Sequence, residues 1–224
     1  EDQYDFSDVQ PSLEAALQKD PKAVVMLEVP ISPRYREWGD RYPDAIWRDH
    51  NGDKIAGLKK TIRALQTLDH GKDAFWAHSY GAAQYRDSAA RALMALVAHL
   101  KSFPAGKAVA GFNFHCGTDN QWFPHVNYVG FDYSTGAQKD FRERLRKRYG
   151  EDVERLRKAW ANPDVTFETA ALAPFAMRHR SNIAFLDPEN GADRWILDSN
   201  RDNDAGASET AKILGRVVKK AFGR

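Results

Sequence analysis

Two short apolar runs constrain the fold of this chain more than any other feature. AVVMLEV (23–29) and AVAGFNF (108–114) are almost entirely apolar, as expected for strands that are covered on both faces of a parallel sheet. Each run is followed by a long loop and then by an amphipathic helix, predicted at 87–103 and at 135–149. This alternation of strands and helices predicts an α/β fold with a parallel sheet.

Three further helices follow from apolar periodicity. The first lies within FSDVQPSLEAALQKDP, where Ser7 or Asp8 is the expected cap and Pro21 stops the helix. A short helix follows Gly150, and the last covers 208–222. The segment 30–85 shows no regular periodicity but is rich in aromatic residues, and long ordered loops of this kind tend to carry function.

Two parallel strands are too few for a complete sheet, because they cannot bury both faces of a sheet by themselves. The sequence also stops just after an amphipathic helix, where a further strand is expected. We therefore expect residues 1–224 to form a single domain that is one part of a barrel.

Composition argues against several classes of partner. The net charge is only +2, from 33 basic and 31 acidic side chains, which gives no reason to expect a nucleic-acid or membrane partner. The basic run RERLRKRYG (142–150) has acidic neighbours and is typical of a solvated helix face. No apolar run approaches the roughly 20 residues of a membrane span. The one cysteine, Cys116, excludes an intrachain disulfide and leaves the cellular compartment open.

No cofactor or metal is expected. The sequence has no Gly-x-Ser-x-Gly elbow, P-loop or dinucleotide fingerprint. His115, Cys116 and Asp119 are close together in sequence, but their spacing fits no standard metal site and a second histidine within reach is lacking.

Four stretches resemble the catalytic barrel of β-galactosidase-type glycoside hydrolases, similar to family 42. They are MLEVPISPRYREWGDRYPDAIWRDHNG, HSYGAAQYRDSAARALMALVAHL, VAGFNFHCGTDNQWF and FDYSTGAQKDFRERLRKRYGEDVERLRKAWANPDVTFETA. The fourth is the most specific, because Asp-Tyr-Ser, Phe-Arg, Arg-Tyr-Gly, Ala-Trp and Val-Thr-Phe occur in the same order. The resemblance implies part of a (β/α)8 TIM-barrel-like domain, with about strands three and four and their flanking helices.

The resemblance also implies a retaining β-galactosidase, whose acid/base glutamate follows strand four. Gln121 stands at that position in DNQW, and a glutamine side chain cannot donate a proton as a general acid. The nucleophile of such enzymes lies at the end of strand seven, which the resemblance places outside this chain. Little or no hydrolysis is expected. Asp119 is a weaker substitute for the acid, and a turn residue is favoured there.

Candidate sugar-binding residues flank the same position. Trp122 and Phe123 offer aromatic faces for a pyranose ring, or alternatively pack in the core. Asn113 and His115 alternate with two phenylalanines along the second strand, so that one pair faces a barrel interior.

Arg34 and Trp38, in the earlier loop, resemble residues that border the sugar subsite; the alternative is that this loop packs its own aromatic residues. The expected ligand is a β-galactoside-like carbohydrate, and the chain either hydrolyses it poorly or serves as a non-catalytic carbohydrate-binding or structural module. A second copy of the chain, or the remaining segment of the barrel, is the expected protein partner.

Overall fold

The computed structural model describes residues 4–31, 36–57, 75–115, 132–178 and 185–222. These residues divide into two compact units, each assembled from separate segments of the chain. Unit 1 comprises Glu1–Pro33, Arg86–Phe123 and Ala211–Arg224, and unit 2 comprises Arg34–Tyr85 and Pro124–Thr210. The expectation of a single domain stays a prediction.

The described elements are mainly helical. The helices are α1 (Val9–Lys19), α2 (Arg36–Arg41), α3 (Ala83–Lys101), α4 (Thr135–Tyr149), α5 (Val153–Trp160), α6 (Phe175–Arg178) and α7 (Gly191–Phe222). The strands are β1 (Val25–Pro30), β2 (Ala56–Gly57), β3 (Phe75–Trp76) and β4 (Val109–His115). Single turns of 3-10 helix cover Pro43–Ala45 and Pro104–Ala108.

The sheet of unit 1 is a parallel pair, β1 and β4. Their register places Leu27 opposite Phe112 and Val29 opposite Phe114, and these four side chains are half-buried on one face. The Phe112 ring packs against Phe222 of α7, with 6.2 Å between ring centroids. The predicted parallel pairing of the two apolar runs is confirmed.

Unit 2 is built around the tract that follows Asp132. Its buried core joins α4, α5, the segment 165–173 and the start of α7; the members are Phe141, Leu145, Tyr149, Leu156, Trp160, Val165, Phe167, Ala170, Leu172, Ala173 and Ile196. The helix ends are defined by their caps. The Ser134 hydroxyl group accepts the Ala137 N–H at 3.2 Å, and Gly150 ends α4 in the left-handed conformation with φ of 66°.

Three expectations about local structure need correction. The last helix, predicted to begin at 208, begins at Gly191. Asp8 stands at the N-cap of α1, but its side chain makes no capping hydrogen bond. The segment 30–85 contains short elements, α2 and the antiparallel pair β2 and β3. The strands β2 and β3 were missed because two-residue strands carry no measurable periodicity.

Candidate functional site

The carboxyl ends of β1 and β4 lie at the same edge of the sheet, because the two strands are parallel. Pro30 is the last residue of β1 and pairs with His115, the last residue of β4. In α/β folds of this type, ligands bind at the carboxyl edge of the strands. The predicted sugar-binding segments follow directly from both strands.

The structure places two of the predicted site residues on β4. Asn113 is exposed, on the face opposite to Phe112 and Phe114. His115 is placed by its backbone only, as the end of the strand. Gln121, Asp119, Trp122, Phe123 and Arg34 lie outside the described residues, so their roles stay predictions.

Trp38 lies in the core of unit 2 and is only 2% exposed. Its ring packs against Tyr42 at 5.2 Å and meets the ring of Tyr85 edge-on at 6.5 Å between centroids. The loop therefore packs this aromatic residue within the protein, which is one of the two roles expected from the sequence. Sugar contact by Trp38 stays a prediction.

A buried polar centre in unit 2 was not predicted from the sequence. Asp132 is 5% exposed, and its Oδ1 accepts the N–H groups of Ser134 at 2.9 Å and Arg48 at 3.4 Å. Burial raises the pKa of the Asp132 carboxyl group, and the nearby Ser79 hydroxyl group and these two N–H groups partly offset the effect. The Ser79 contact is weaker than a full hydrogen bond. The carboxylate thus links the loop at 48 to the start of α4.

Burial lowers the pKa of His78 to about 3, so its imidazole ring is neutral in the folded protein. The ring stacks on Tyr85 with 4.0 Å between centroids and meets Tyr80 edge-on at 5.2 Å. Neither ring nitrogen has a hydrogen-bond partner among the described residues. A general acid or base would need a pKa nearer to the working pH, so His78 is a packing residue in this setting.

A cavity of about 20 Å³ lies beside this centre, with Trp47, Tyr80, Asp132 and Asp202 among its lining residues. It has room for about one water molecule and none for a sugar ring. Burial, reinforced by the charge of Asp140, raises the pKa of Asp202 to about 7. Arg144 pairs with Asp202 at 3.2 Å and opposes this rise, but burial outweighs the ion pair.

The most specific part of the family resemblance maps onto a second buried network. Asp198 is fully buried and accepts hydrogen bonds from Tyr149, Trp160 and Arg148. Burial and the Asp198 carboxylate raise the pKa of Tyr149 to about 12. Tyr149 belongs to the Arg-Tyr-Gly motif and Trp160 to the Ala-Trp motif. These motif residues therefore pack and hydrogen-bond within the core of unit 2.

The arginines of α4 are engaged within unit 2. Arg144 pairs with Asp140 and Asp202, Arg146 with Glu168 and Glu151, and Arg148 with Asp198. The basic run therefore neutralises carboxylates of its own unit. Among the described residues, no group of three or more His, Cys, Asp or Glu side chains is arranged to hold a metal ion. Within the same ranges, no helix combines the length and apolar character that crossing a bilayer requires.

Comparison with solved structures gives the architecture its context. The chain aligns with a β-galactosidase from the psychrophilic Marinomonas ef1 at a TM-score of 0.67 and 18% identity, over 97% of this chain and 28% of that chain. A β-galactosidase from the haloarchaeon Halorubrum lacusprofundi aligns at a TM-score of 0.61 and 20% identity, over 97% of this chain and 28% of that chain. A catalytic mutant of a family 42 β-galactosidase from G. stearothermophilus aligns at a TM-score of 0.64 and 14% identity, over 98% of this chain and 27% of that chain.

The chain has the fold of one part of a β-galactosidase. The resemblance expected from the sequence is confirmed at the level of the fold, since identities of 14–20% show the fold alone. The chain spans a little over a quarter of the length of these enzymes. No family model matches the sequence, and no curated protein does.

Proposed function

We propose that the chain contributes to the carbohydrate-binding cleft of a (β/α)8 barrel of the β-galactosidase type, as about its third and fourth strands. One observation carries the proposal. The parallel strands β1 and β4 end at the same edge, in a fold shared with β-galactosidases. The carboxyl edge of barrel strands is where such enzymes bind substrate.

The residue at the expected acid/base position argues for little or no hydrolysis. Retaining glycosidases use two carboxyl groups roughly 5 Å apart, one as the acid/base and one as the nucleophile. Gln121 occupies the expected acid/base position, where its amide can hydrogen-bond to a sugar oxygen but cannot protonate a leaving group. Asp119 is the weaker alternative for the acid. The nucleophile belongs to a strand beyond those that the resemblance assigns to this chain.

Sugar recognition then rests on the residues around Gln121. Trp122 and Phe123 offer aromatic faces that suit the apolar C–H face of a pyranose ring. Asn113 and His115 lie at the carboxyl end of β4. We place a β-galactoside-like sugar against this group.

A non-catalytic carbohydrate-binding module is the second candidate function. The amide at position 121 favours it, because a module that only binds sugar loses nothing when the acid/base carboxyl group is replaced. The two functions differ in whether the restoration of a carboxyl group restores turnover.

The test compares hydrolysis of aryl β-galactosides by the wild-type chain, Gln121→Glu and the control Gln84→Glu, which adds the same charge at an exposed position of α3. We expect little or no turnover by the wild type. In an assembly that supplies a nucleophile, Gln121→Glu should raise turnover about 100-fold or more with poor leaving groups, because these require a general acid.

Sugar binding without turnover by either protein supports the non-catalytic module. Rapid hydrolysis of a poorly activated β-galactoside by the wild type, at a rate that Gln121→Glu does not change, contradicts the assignment of Gln121.

A further inference from the structure

Polar atoms that lack a hydrogen-bond partner belong to three side chains around the small cavity of unit 2. Trp47, Asp132 and Asp202 line this cavity, and their exposed fractions are 4%, 5% and 6%. Trp47 Nε1, Asp132 Oδ2 and Asp202 Oδ1 make no hydrogen bond among the described residues. Buried polar groups are rarely left in this condition, so a common partner within the cavity would account for all three.

Neighbouring side chains do not satisfy these two carboxylate oxygens. Asp202 Oδ1 lies 3.2 Å from Arg144 Nε, but the Nε–H group of Arg144 donates its hydrogen bond to Asp140 Oδ2 at 2.9 Å. The Ser79 hydroxyl group lies near the Asp132 carboxyl group without reaching hydrogen-bond geometry. Each of the two carboxylates therefore keeps one oxygen atom that can accept a further hydrogen bond.

The size and the chemistry of the cavity both select water as the ligand. Its volume is about 20 Å³, and one water molecule needs about 10–15 Å³ by this measure. The two carboxylates require a donor, whereas the indole N–H group of Trp47 requires an acceptor. A water molecule is both. A metal cation cannot accept a hydrogen bond, and among the described residues no group of three or more His, Cys, Asp or Glu side chains is arranged to hold one.

We propose that one water molecule binds in this cavity, donates hydrogen bonds to Asp132 Oδ2 and Asp202 Oδ1, and accepts one from Trp47 Nε1. Three hydrogen bonds are the usual number for a buried water molecule. The bound water joins parts of unit 2 that are distant in sequence, namely the loop at Trp47, the start of α4 at Asp132 and helix α7 at Asp202. This site is independent of carbohydrate binding.

The first test measures water contacts of the tryptophan indole N–H groups by NMR, on the wild-type chain with ¹⁵N-labelled tryptophan. The Trp47 indole proton should show a cross-peak to water with the sign of direct dipolar contact rather than of proton exchange. Trp160 and Trp195 are internal controls, because their Nε1 atoms donate to Asp198 and to the Ala171 carbonyl group. These two signals should lack the contact. The variant Trp47→Phe assigns the Trp47 signal by its loss.

The second test counts long-lived water molecules by ¹⁷O relaxation dispersion in Asp202→Leu and in Asp204→Leu. The first variant removes an acceptor from the cavity, and the second is the matched control at an exposed position of the same helix. Asp202→Leu should hold one long-lived water molecule fewer than the control. If Asp202→Leu does not fold, the wild-type Trp47 signal decides.

Three results overturn the proposal. The first is a Trp47 indole proton with no direct water contact, or with fast exchange into bulk water. The second is an equal count of long-lived water molecules in the two folded variants. The third is a Trp47 signal that shifts saturably when sodium chloride replaces choline chloride at constant ionic strength, because the ligand would then be a cation.

Discussion

The hydroxyl group of Tyr149 donates a hydrogen bond of 2.5 Å to the buried Asp198 carboxylate. Trp160 Nε1 donates to the same oxygen at 2.9 Å, and Arg148 pairs with the other oxygen at 2.9 Å. The carboxylate thus ties α4 and α5 to α7. A buried charge is tolerated only where its lone pairs are occupied, and here both oxygens have donors.

Asp198→Ala should destabilise the chain severely, because it leaves the Arg148 charge and two buried donors without their acceptor. Loss of one partner from a buried ion pair costs about 3–5 kcal/mol. The measurement is the free energy of unfolding in urea, with Asp204→Asn as the control, since Asp204 is exposed on the same helix. A loss below about 1 kcal/mol, the size of an exposed pair, would show that the network adds little.

His78→Phe should reduce the loss of stability in acid. The folded-state pKa of His78 is about 3 against 6.5 for a free imidazole, so below pH 6.5 the unfolded chain binds a proton that the folded chain excludes. Stability is therefore lost as the pH falls from 6.5 towards 3. The difference in unfolding free energy between variant and wild type should shift in favour of the variant over this range. If the free energy of unfolding changes with pH in the same way in both proteins, the result would contradict a buried, neutral His78 ring.

The free energy of unfolding of Asp202→Asn, relative to that of the wild type, should increase as the pH rises. The folded-state pKa of Asp202 is raised to about 7 from 3.8, so between these values the folded chain keeps a proton that the unfolded chain releases. Stability from this group is present below pH 3.8 and is lost as the pH rises through 7. Urea unfolding at pH 5 and pH 8 checks the sign. If the variant is less stable relative to the wild type at pH 8 than at pH 5, the Arg144 ion pair has a larger effect on the pKa of Asp202 than burial has.

Gly81→Ala should separate the loop at 79–82 from α4. A Cβ atom at Gly81 would lie 2.8 Å from the Cα atom of Ala137, a backbone contact that cannot yield easily. Such overpacking costs about 1–3 kcal/mol. Gly215→Ala is the matched control, because a Cβ atom there meets nothing within 4 Å, and in helix α7 it should stabilise by up to about 1 kcal/mol. Equal effects of the two substitutions on the melting temperature would contradict the close approach.

The elements that depend on strong periodicity could be predicted from the sequence. Apolar runs gave β1 and β4, and apolar stripes gave α1, α3, α4 and α5, each within a few residues of the observed bounds. The first half of α7 could not be predicted, because WILDSNRDNDAGAS is rich in residues that favour turns. Tertiary contacts decide its helical state. Asp198 and Asp202 find partners on α4, and Gly206 permits close packing, since a Cβ atom there would lie 3.3 Å from Tyr80.

Features of the candidate site likewise fall into those that could be predicted from the sequence and those that could not. The carboxyl edge of the sheet follows from the strand pattern, and alternation along β4 predicted that Asn113 and the two phenylalanines lie on opposite faces. His78 and Asp132 were missed because burial, which sets both pKa values, depends on contacts between segments distant in sequence.

The measurement that tests the central claim most directly is the binding of methyl β-galactoside to the wild-type chain and to Trp122→Ala, followed by NMR titration. A non-sugar polyol of similar size serves as the control ligand. We predict saturable binding of the sugar to the wild type, clear weakening in Trp122→Ala, and no binding of the polyol to either protein. A folded wild-type chain that binds the sugar no better than the polyol would contradict the carbohydrate-binding function.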